Sequence, residues 1–298
     1  MTSASESCAV IGAGNLGAAV AERLLAEGHD ITLCDREAAK LRRFEAMGAT
    51  TTASAADCVA REQVLVLVAT EAQLRAVAAN LARSAGERRD APFRRLAVMS
   101  TVPAQAVRDV AAMLEPVGVA VVDAPVSGGA ARARAGMLTV MAGGSEEDLA
   151  ALSPLLASLA SNVFHCGALG AGQMTKIVNN ILCHANTALT AEAFRLGMAQ
   201  GLRPAAMARA MEVSTGRNWL TATPTLAAET FAHHTSDRGV YDAILSILQK
   251  DMVIAADLTG EQEAAFPMIE GLAALIAAVG DETYETWRKV AADLDDRH

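Results

Sequence analysis

A chain of 298 residues with 52% hydrophobic and 20% charged residues is too apolar for disorder and long enough for one large or two ordinary domains. Aromatic residues at 3% exclude a stacking platform for single-stranded nucleic acid, and a net charge of −9 without a long basic tract argues against a phosphate-backbone binder. Cys8, Cys34, Cys58, Cys166 and Cys183 are odd in number and scattered, with no CxxC pair, so neither a disulfide framework nor a zinc site is expected.

The opening MTSASES is polar and lacks the apolar core of a signal peptide, and no apolar run approaches a membrane span. The expectation is a reduced, soluble, cytoplasmic protein with neither membrane nor nucleic acid as partner. SCAVIG (7–12) reads as a buried strand and NLGAAVAERLLAEG (15–28) as a helix closed by Gly28. DITLCD (30–35) is the next strand. VLVLVA (64–69) is a continuous apolar run of the kind covered on both faces. The short basic stretch RRDAPFRR (88–95), broken by Pro92, reads as a solvated loop. RLAVMS (95–100), VAVVDA (119–124) and MLTVMAG (137–143) complete the strands. AQAVRDVAAMLE (104–115) and EEDLAALSPLLASLA (146–160) are helices, the latter opened by Ser145 with Asp148 three residues on, a variant of the capping box.

Beyond about residue 165 no strand is expected. Helical stretches are predicted over 171–200, 204–213, 240–258, 266–279 and 281–294, rich in Ala and Leu. The alternating first half implies a doubly wound α/β domain over 1–165, followed by an all-helical domain over 166–298 that begins with a long interdomain helix. Helical surfaces this apolar point to burial against further copies of the chain, hence a homodimer or homotetramer.

GAGNLG (12–17) places Gly12, Gly14 and Gly17 in GxGxxG spacing, with Asn15 and Leu16 between them. The spacing alone also describes an ordinary strand–helix turn. Here an apolar strand precedes it and a helix follows, the setting of a Rossmann-type dinucleotide site in which backbone N–H groups meet a pyrophosphate. Asp35 ends the second strand, at the distance where an acid meets the adenine-ribose hydroxyls, which favours NAD. Arg36 follows it and keeps NADP open, since an arginine can pair with a 2′-phosphate.

Three more stretches then fall in order: DAPVSGG (123–129), GALGAGQMTKIVNN (167–180) and QKDM (249–252). Together with GAGNLG and STVP (100–103) they resemble the β-hydroxyacid dehydrogenases, the family of 3-hydroxyisobutyrate, L-threonate and 6-phosphogluconate dehydrogenases and tartronate semialdehyde reductase, over most of the chain. The resemblance implies an oxidoreductase passing a hydride between NAD or NADP and a small β-hydroxy acid or its semialdehyde.

The residues themselves carry part of that chemistry. Ser127, Gly128 and Gly129 offer a hydroxyl and unobstructed N–H groups, a cradle for a carboxylate or equally a tight turn. Lys176, Asn180 and His184 fall on one line of an otherwise apolar helix. A lysine among apolar groups loses solvation and is easier to deprotonate, although most helical lysines are snorkelling surface residues. The resemblance makes Lys176 the catalytic acid/base, Asn180 its partner and Ser127, Gly128 and Gly129 the carboxylate ligands. It also brings Asn179 to the substrate, and Thr101 and Lys250 to the nicotinamide end of the cofactor. His184 reads as a hydrogen-bonded packing histidine rather than a second base, and His233 and His234 as loop residues. Arg217, within STGRNWLTATP (214–224), is a candidate for the far end of the substrate or a solvated loop arginine. An imine reductase on the same fold and a non-catalytic nucleotide sensor are the alternatives; keeping Lys176 and SGG weighs against the former.

Overall fold

The computed structural model describes residues 6–223, 225–262 and 264–295. They form two compact units, Met1–Lys176 and Ile177–His298.

The first unit runs β1 (Ser7–Ile11), α1 (Asn15–Ala26), β2 (Asp30–Cys34), α2 (Ala38–Ala46), β3 (Thr50–Thr52), β4 (Gln63–Val66), α3 (Glu71–Glu87), β5 (Arg95–Val98) and α4 (Ala104–Leu114). It continues through β6 (Ala120–Asp123), β7 (Val126–Ser127), α5 (Gly129–Arg134), β8 (Leu138–Gly143), α6 (Glu146–Leu159) and β9 (Ala160–Gly167) to α7 (Ala171–Ala199), which extends into the second unit. The sheet order is β3-β2-β1-β4-β5-β6-β8-β7, with β9 beside β8. Strands β1 to β6 pair in parallel, and β8 runs antiparallel to β6 and β7. The first six strands have the order of a dinucleotide-binding sheet, whose strand order reverses between β1 and β4.

Alternation along each strand builds the core. Val10 and Leu65 enter one buried cluster, and their neighbours Ala9, Ile11, Val64 and Val66 enter another. Successive strand side chains point to opposite faces, so both faces of the sheet are covered, as the continuous apolar run anticipates. Helix α6 starts where expected: Ser145 Oγ accepts from the Asp148 N–H at 3.1 Å, and its hydroxyl donates to Asp148 Oδ2 at 2.6 Å.

The second unit adds α8 (Pro204–Glu212), α9 (Leu226–His234), α10 (Arg238–Gly260), α11 (Pro267–Ala277) and α12 (Asp281–Asp295). Its core holds Phe194, Phe231, Tyr241, Trp287 and Val290, with the Phe231 and Trp287 rings 5.5 Å apart. No described helix is long and apolar enough to cross a membrane.

The six expected strands are present within one to three residues at each end. Three further strands and four helices were not named in advance: β3, β7, β9, α2, α3, α5 and α9. Helix α9 corrects the placement of His233 and His234, which occupy its last turn rather than a loop. Its nine residues carry no side-chain N-cap, and it is held by burying Ala227, Ala228 and Phe231, a tertiary cause with weak local signal.

Candidate active site

The glycine loop leaves β1 and enters α1. Gly12 has φ +103°, and a Cβ there would lie 2.4 Å from the Leu67 carbonyl oxygen. A Cβ on Gly17 would lie 1.9 Å from the Gly12 carbonyl oxygen. These two glycines are required by the fold itself. Gly14 differs: a Cβ there meets nothing within 4 Å, so packing within the chain gives no reason for its bare backbone. Gly14 is the N-cap of α1 and supplies no side-chain hydrogen bond to the first-turn amides, and Gly14 and Asn15 are exposed. An open, positive helix end reached only over glycine fits a pyrophosphate. Leu16 is half-buried against the core.

Asp35 lies just beyond β2. Its Oδ2 accepts from the Ala13 N–H at 2.8 Å and its Oδ1 from the Glu37 N–H at 2.9 Å. The carboxylate thus ties the glycine loop to the end of β2, and each oxygen keeps a lone pair for a ribose hydroxyl. Arg36 beside it is exposed.

The start of α7 is fixed by two buried polar side chains. Asp123, at the end of β6, is fully buried; its Oδ1 accepts from the Gly170 N–H and its Oδ2 from the Gln173 N–H, both at 2.7 Å. Burial pushes this carboxyl above the ordinary carboxylate range, while the amides of Gly170 and Gln173 pull it back. Gln173, also fully buried, donates from Nε2 to the Ser100 carbonyl at 2.8 Å and accepts at Oε1 from the Val102 N–H at 3.1 Å. The turn carrying half-buried Thr101 is therefore clamped to α7 on both sides of that residue. Backbone approach is close here too: a Cβ on Gly172 would lie 2.3 Å from the Met141 carbonyl oxygen.

Lys176 follows Gln173 by three residues, at the limit of the first unit, and is 8% exposed. It is a buried lysine, not a snorkelling one. Ser127 is half-buried on β7, paired opposite Thr139, while Gly128 (φ +130°) and Gly129 (φ +69°) are exposed at the start of α5. Their left-handed backbone is a conformation that L side chains rarely adopt.

In the second unit a buried polar cluster joins α7 to α10. Asn180 Nδ2 donates to Asp251 Oδ2 at 2.6 Å, His184 Nε2 lies 3.3 Å from the same oxygen, and Lys250 Nζ lies 3.0 Å from Oδ1. Asn179 Nδ2 donates to Asn180 Oδ1 at 3.1 Å. Burial pushes the Asp251 carboxyl up, but the His184 hydrogen bond and the Lys250 charge outweigh it and hold the group below the ordinary range. Asn179, Asn180 and Lys250 are thus brought together, with His184 hydrogen-bonded into the same cluster.

Arg217 is exposed in the segment between α8 and α9; its main-chain N–H bonds to the Ser214 carbonyl at 3.0 Å. Asn218, beside it, turns inward: its Nδ2 donates to Thr190 Oγ1 at 2.9 Å and its Oδ1 accepts from the Leu220 N–H. Asp123, Gln173 and Asp251 were not among the expected site residues. Gln173 shares the signal that exposed Lys176, a polar side chain in an apolar helix, and Asp123 is a lone acid closing an apolar strand.

The chain is similar to known proteins along most of its length. Residues 7–167 match the family model described as the NAD-binding domain of 6-phosphogluconate dehydrogenase, and residues 170–292 that described as NAD-binding of NADP-dependent 3-hydroxyisobutyrate dehydrogenase. The mitochondrial 3-hydroxyisobutyrate dehydrogenase of Bos taurus is 35% identical over 70% of this chain, and the match spans 62% of that protein's length. L-threonate dehydrogenase of Cupriavidus necator is 36% identical over 72% of this chain and 73% of its own. The solved structure of Mycobacterium tuberculosis 3-hydroxyisobutyrate dehydrogenase with L-serine superposes with a TM-score of 0.76 at 26% identity, covering 92% of this chain and 93% of that one.

Proposed function

The chain belongs to the β-hydroxyacid dehydrogenase family, and from that premise we propose that it oxidises a small β-hydroxy acid, or reduces the corresponding semialdehyde, with NAD as the favoured cofactor. The observation that carries this reading is Lys176: a buried amine that starts one turn after a glutamine clamped to the 100–102 turn.

Bound nicotinamide would supply the hydride acceptor or donor. The chain's own residues do the rest. Gly12, Gly14, Asn15, Leu16 and Gly17 present the open end of α1 to the pyrophosphate, and Asp35 takes the ribose hydroxyls in preference to a 2′-phosphate, with Arg36 the route by which NADP is tolerated. Thr101 and Lys250 serve the nicotinamide end. Ser127, Gly128 and Gly129 hold the substrate carboxylate through the hydroxyl and backbone N–H groups. Lys176 Nζ, as the neutral amine, accepts the hydroxyl proton in oxidation and, as the ammonium, returns it in reduction. Asn180 orients the reacting oxygen, with Asn179 behind it. Arg217 is held for the distal end of the substrate.

A homodimer or homotetramer is part of the same proposal. Val178, Leu182, Leu189 and Leu196 are exposed at helical spacing on α7, and Met268 and Leu275 are exposed on α11. Five free cysteines support a reducing, cytoplasmic setting.

The test is absorbance at the reduced-nicotinamide band with NAD or NADP and a panel of 3-hydroxyisobutyrate, 3-hydroxypropionate, glycerate, serine, threonate and 6-phosphogluconate. Turnover with one acid is expected, and Lys176→Ala is expected to lower it by about 100-fold or more while NAD still binds. Turnover by that variant within about tenfold of wild type would remove Lys176 from the proton step.

A further inference from the structure

The Asn180 amide has two faces that differ chemically, and its function depends on which one meets the substrate. A carboxylate accepts hydrogen bonds and cannot donate them. Asp251 is 2% exposed, and its Oδ2 lies 2.6 Å from Asn180 Nδ2. Turning the amide over would set Asn180 Oδ1 against that oxygen, two acceptors at hydrogen-bond distance inside a buried cluster. The Asn179 Nδ2 donor on Asn180 Oδ1, at 3.1 Å, matches the same orientation at the other end. One N–H and one carbonyl lone pair of Asn180 then remain for a ligand.

We propose that Asp251 is a positioning residue: its buried carboxylate locks the Asn180 amide in a single orientation, so that the amide meets the substrate's reacting oxygen with a fixed donor. His184 and Lys250 hold Asp251 in place for this task. His184 bonds to the oxygen that Asn180 uses, one helical turn further along α7, and Lys250 pairs with the other oxygen. Lys250 and the adjacent Asp251 thereby divide the labour, with the aspartate facing the asparagine as well as pairing with its neighbour. The proposal rests on the dehydrogenase reading above and deepens it.

Asp251→Asn replaces an acceptor by a group that can also donate, so both orientations of Asn180 become possible. With the acid found active in the panel, this variant is expected to lose kcat by roughly 10- to 100-fold with an unchanged Kd for NAD. The decisive measurement is the cycle with Asn180→Ala. If Asp251 acts through Asn180, Asn180→Ala/Asp251→Asn is no slower than Asn180→Ala alone, within about twofold; independent, multiplying losses would overturn the proposal.

Asparagine-selective 15N spectra test the same orientation without turnover, with Asn180→Ala identifying the signal. One Asn180 side-chain proton is expected far downfield of its geminal partner, as a bond to a carboxylate requires, and to return to the ordinary position in Asp251→Asn. An ordinary amide pair in the wild-type protein would overturn the proposal, even if the variant does not fold. Absence of turnover with every acid of the panel would instead count against the dehydrogenase reading, leaving the spectrum to decide the orientation.

Discussion

Gln173 donates its main-chain N–H to Asp123 Oδ2 at 2.7 Å, across 50 residues of sequence, and its side chain simultaneously bonds to the 100–102 turn on both sides of Thr101. One glutamine thus joins the end of β6, the turn after β5 and the start of α7. Lys176 stands three residues beyond it, so its backbone position is set by the sheet and not by α7 alone.

That relationship makes Asp123 sensitive to loss of charge and geometry. Asp123→Asn keeps the volume but replaces one acceptor with an NH2 group that faces a backbone N–H. A buried, unmatched donor costs on the order of 2 kcal/mol. Urea denaturation should show that loss, and kcat should fall with it because the first turn of α7 loses its cap.

The three glycines of the 12–17 loop should separate into two classes. Gly12→Ala and Gly17→Ala force a Cβ onto backbone carbonyls and are expected to destabilise the fold by about 2 kcal/mol or more. Gly14→Ala meets open space and ordinary φ, so its melting temperature should hold. Its NAD affinity by calorimetric titration should instead fall by roughly tenfold or more, because close approach of the pyrophosphate is what the missing side chain permits. Unchanged affinity in Gly14→Ala would remove the loop from the pyrophosphate site.

His234 predicts an acid-sensitive fold. Burial pushes its imidazole down from 6.5 to about 4, with the neighbouring His233 charge acting in the same direction. The unfolded chain therefore takes up this proton before the folded one does as pH falls. Stability from the neutral imidazole is fully present above about pH 6.5 and is lost as pH falls toward 4, on the order of 2 kcal/mol by pH 5. His234→Phe should flatten the dependence of melting temperature on pH between those limits. An equally steep profile in the variant would assign the acid sensitivity elsewhere.

What was legible in the sequence follows from how local each cause is. The glycine loop was readable because strand, turn and helix adjoin in sequence, and the order of the motifs carried the family. Lys176 was readable because a charge in an apolar helix is a local anomaly. Strand β9 was not: five consecutive residues from Ser161 to His165 are exposed, so no buried alternation marks it, and its register comes from pairing with β8 across α6. Helix α9 was hidden for the same reason, since its stability lies in Phe231 packing on Trp287 of α12. The roles of Asp123 and Asp251 were invisible because their partners lie 47 to 71 positions away.

The cap on α7 also says where this chain can be cut and recombined. The glycine-rich 167–170 stretch looks like a natural seam for grafting a different helical domain. A junction there would detach the first-turn amides of α7 from the acid that receives them, and with them the glutamine that grips the neighbouring turn. A chimera joined after residue 176 would carry lysine, cap and clamp together as one inheritable cassette, leaving the remainder of the helix free to diverge.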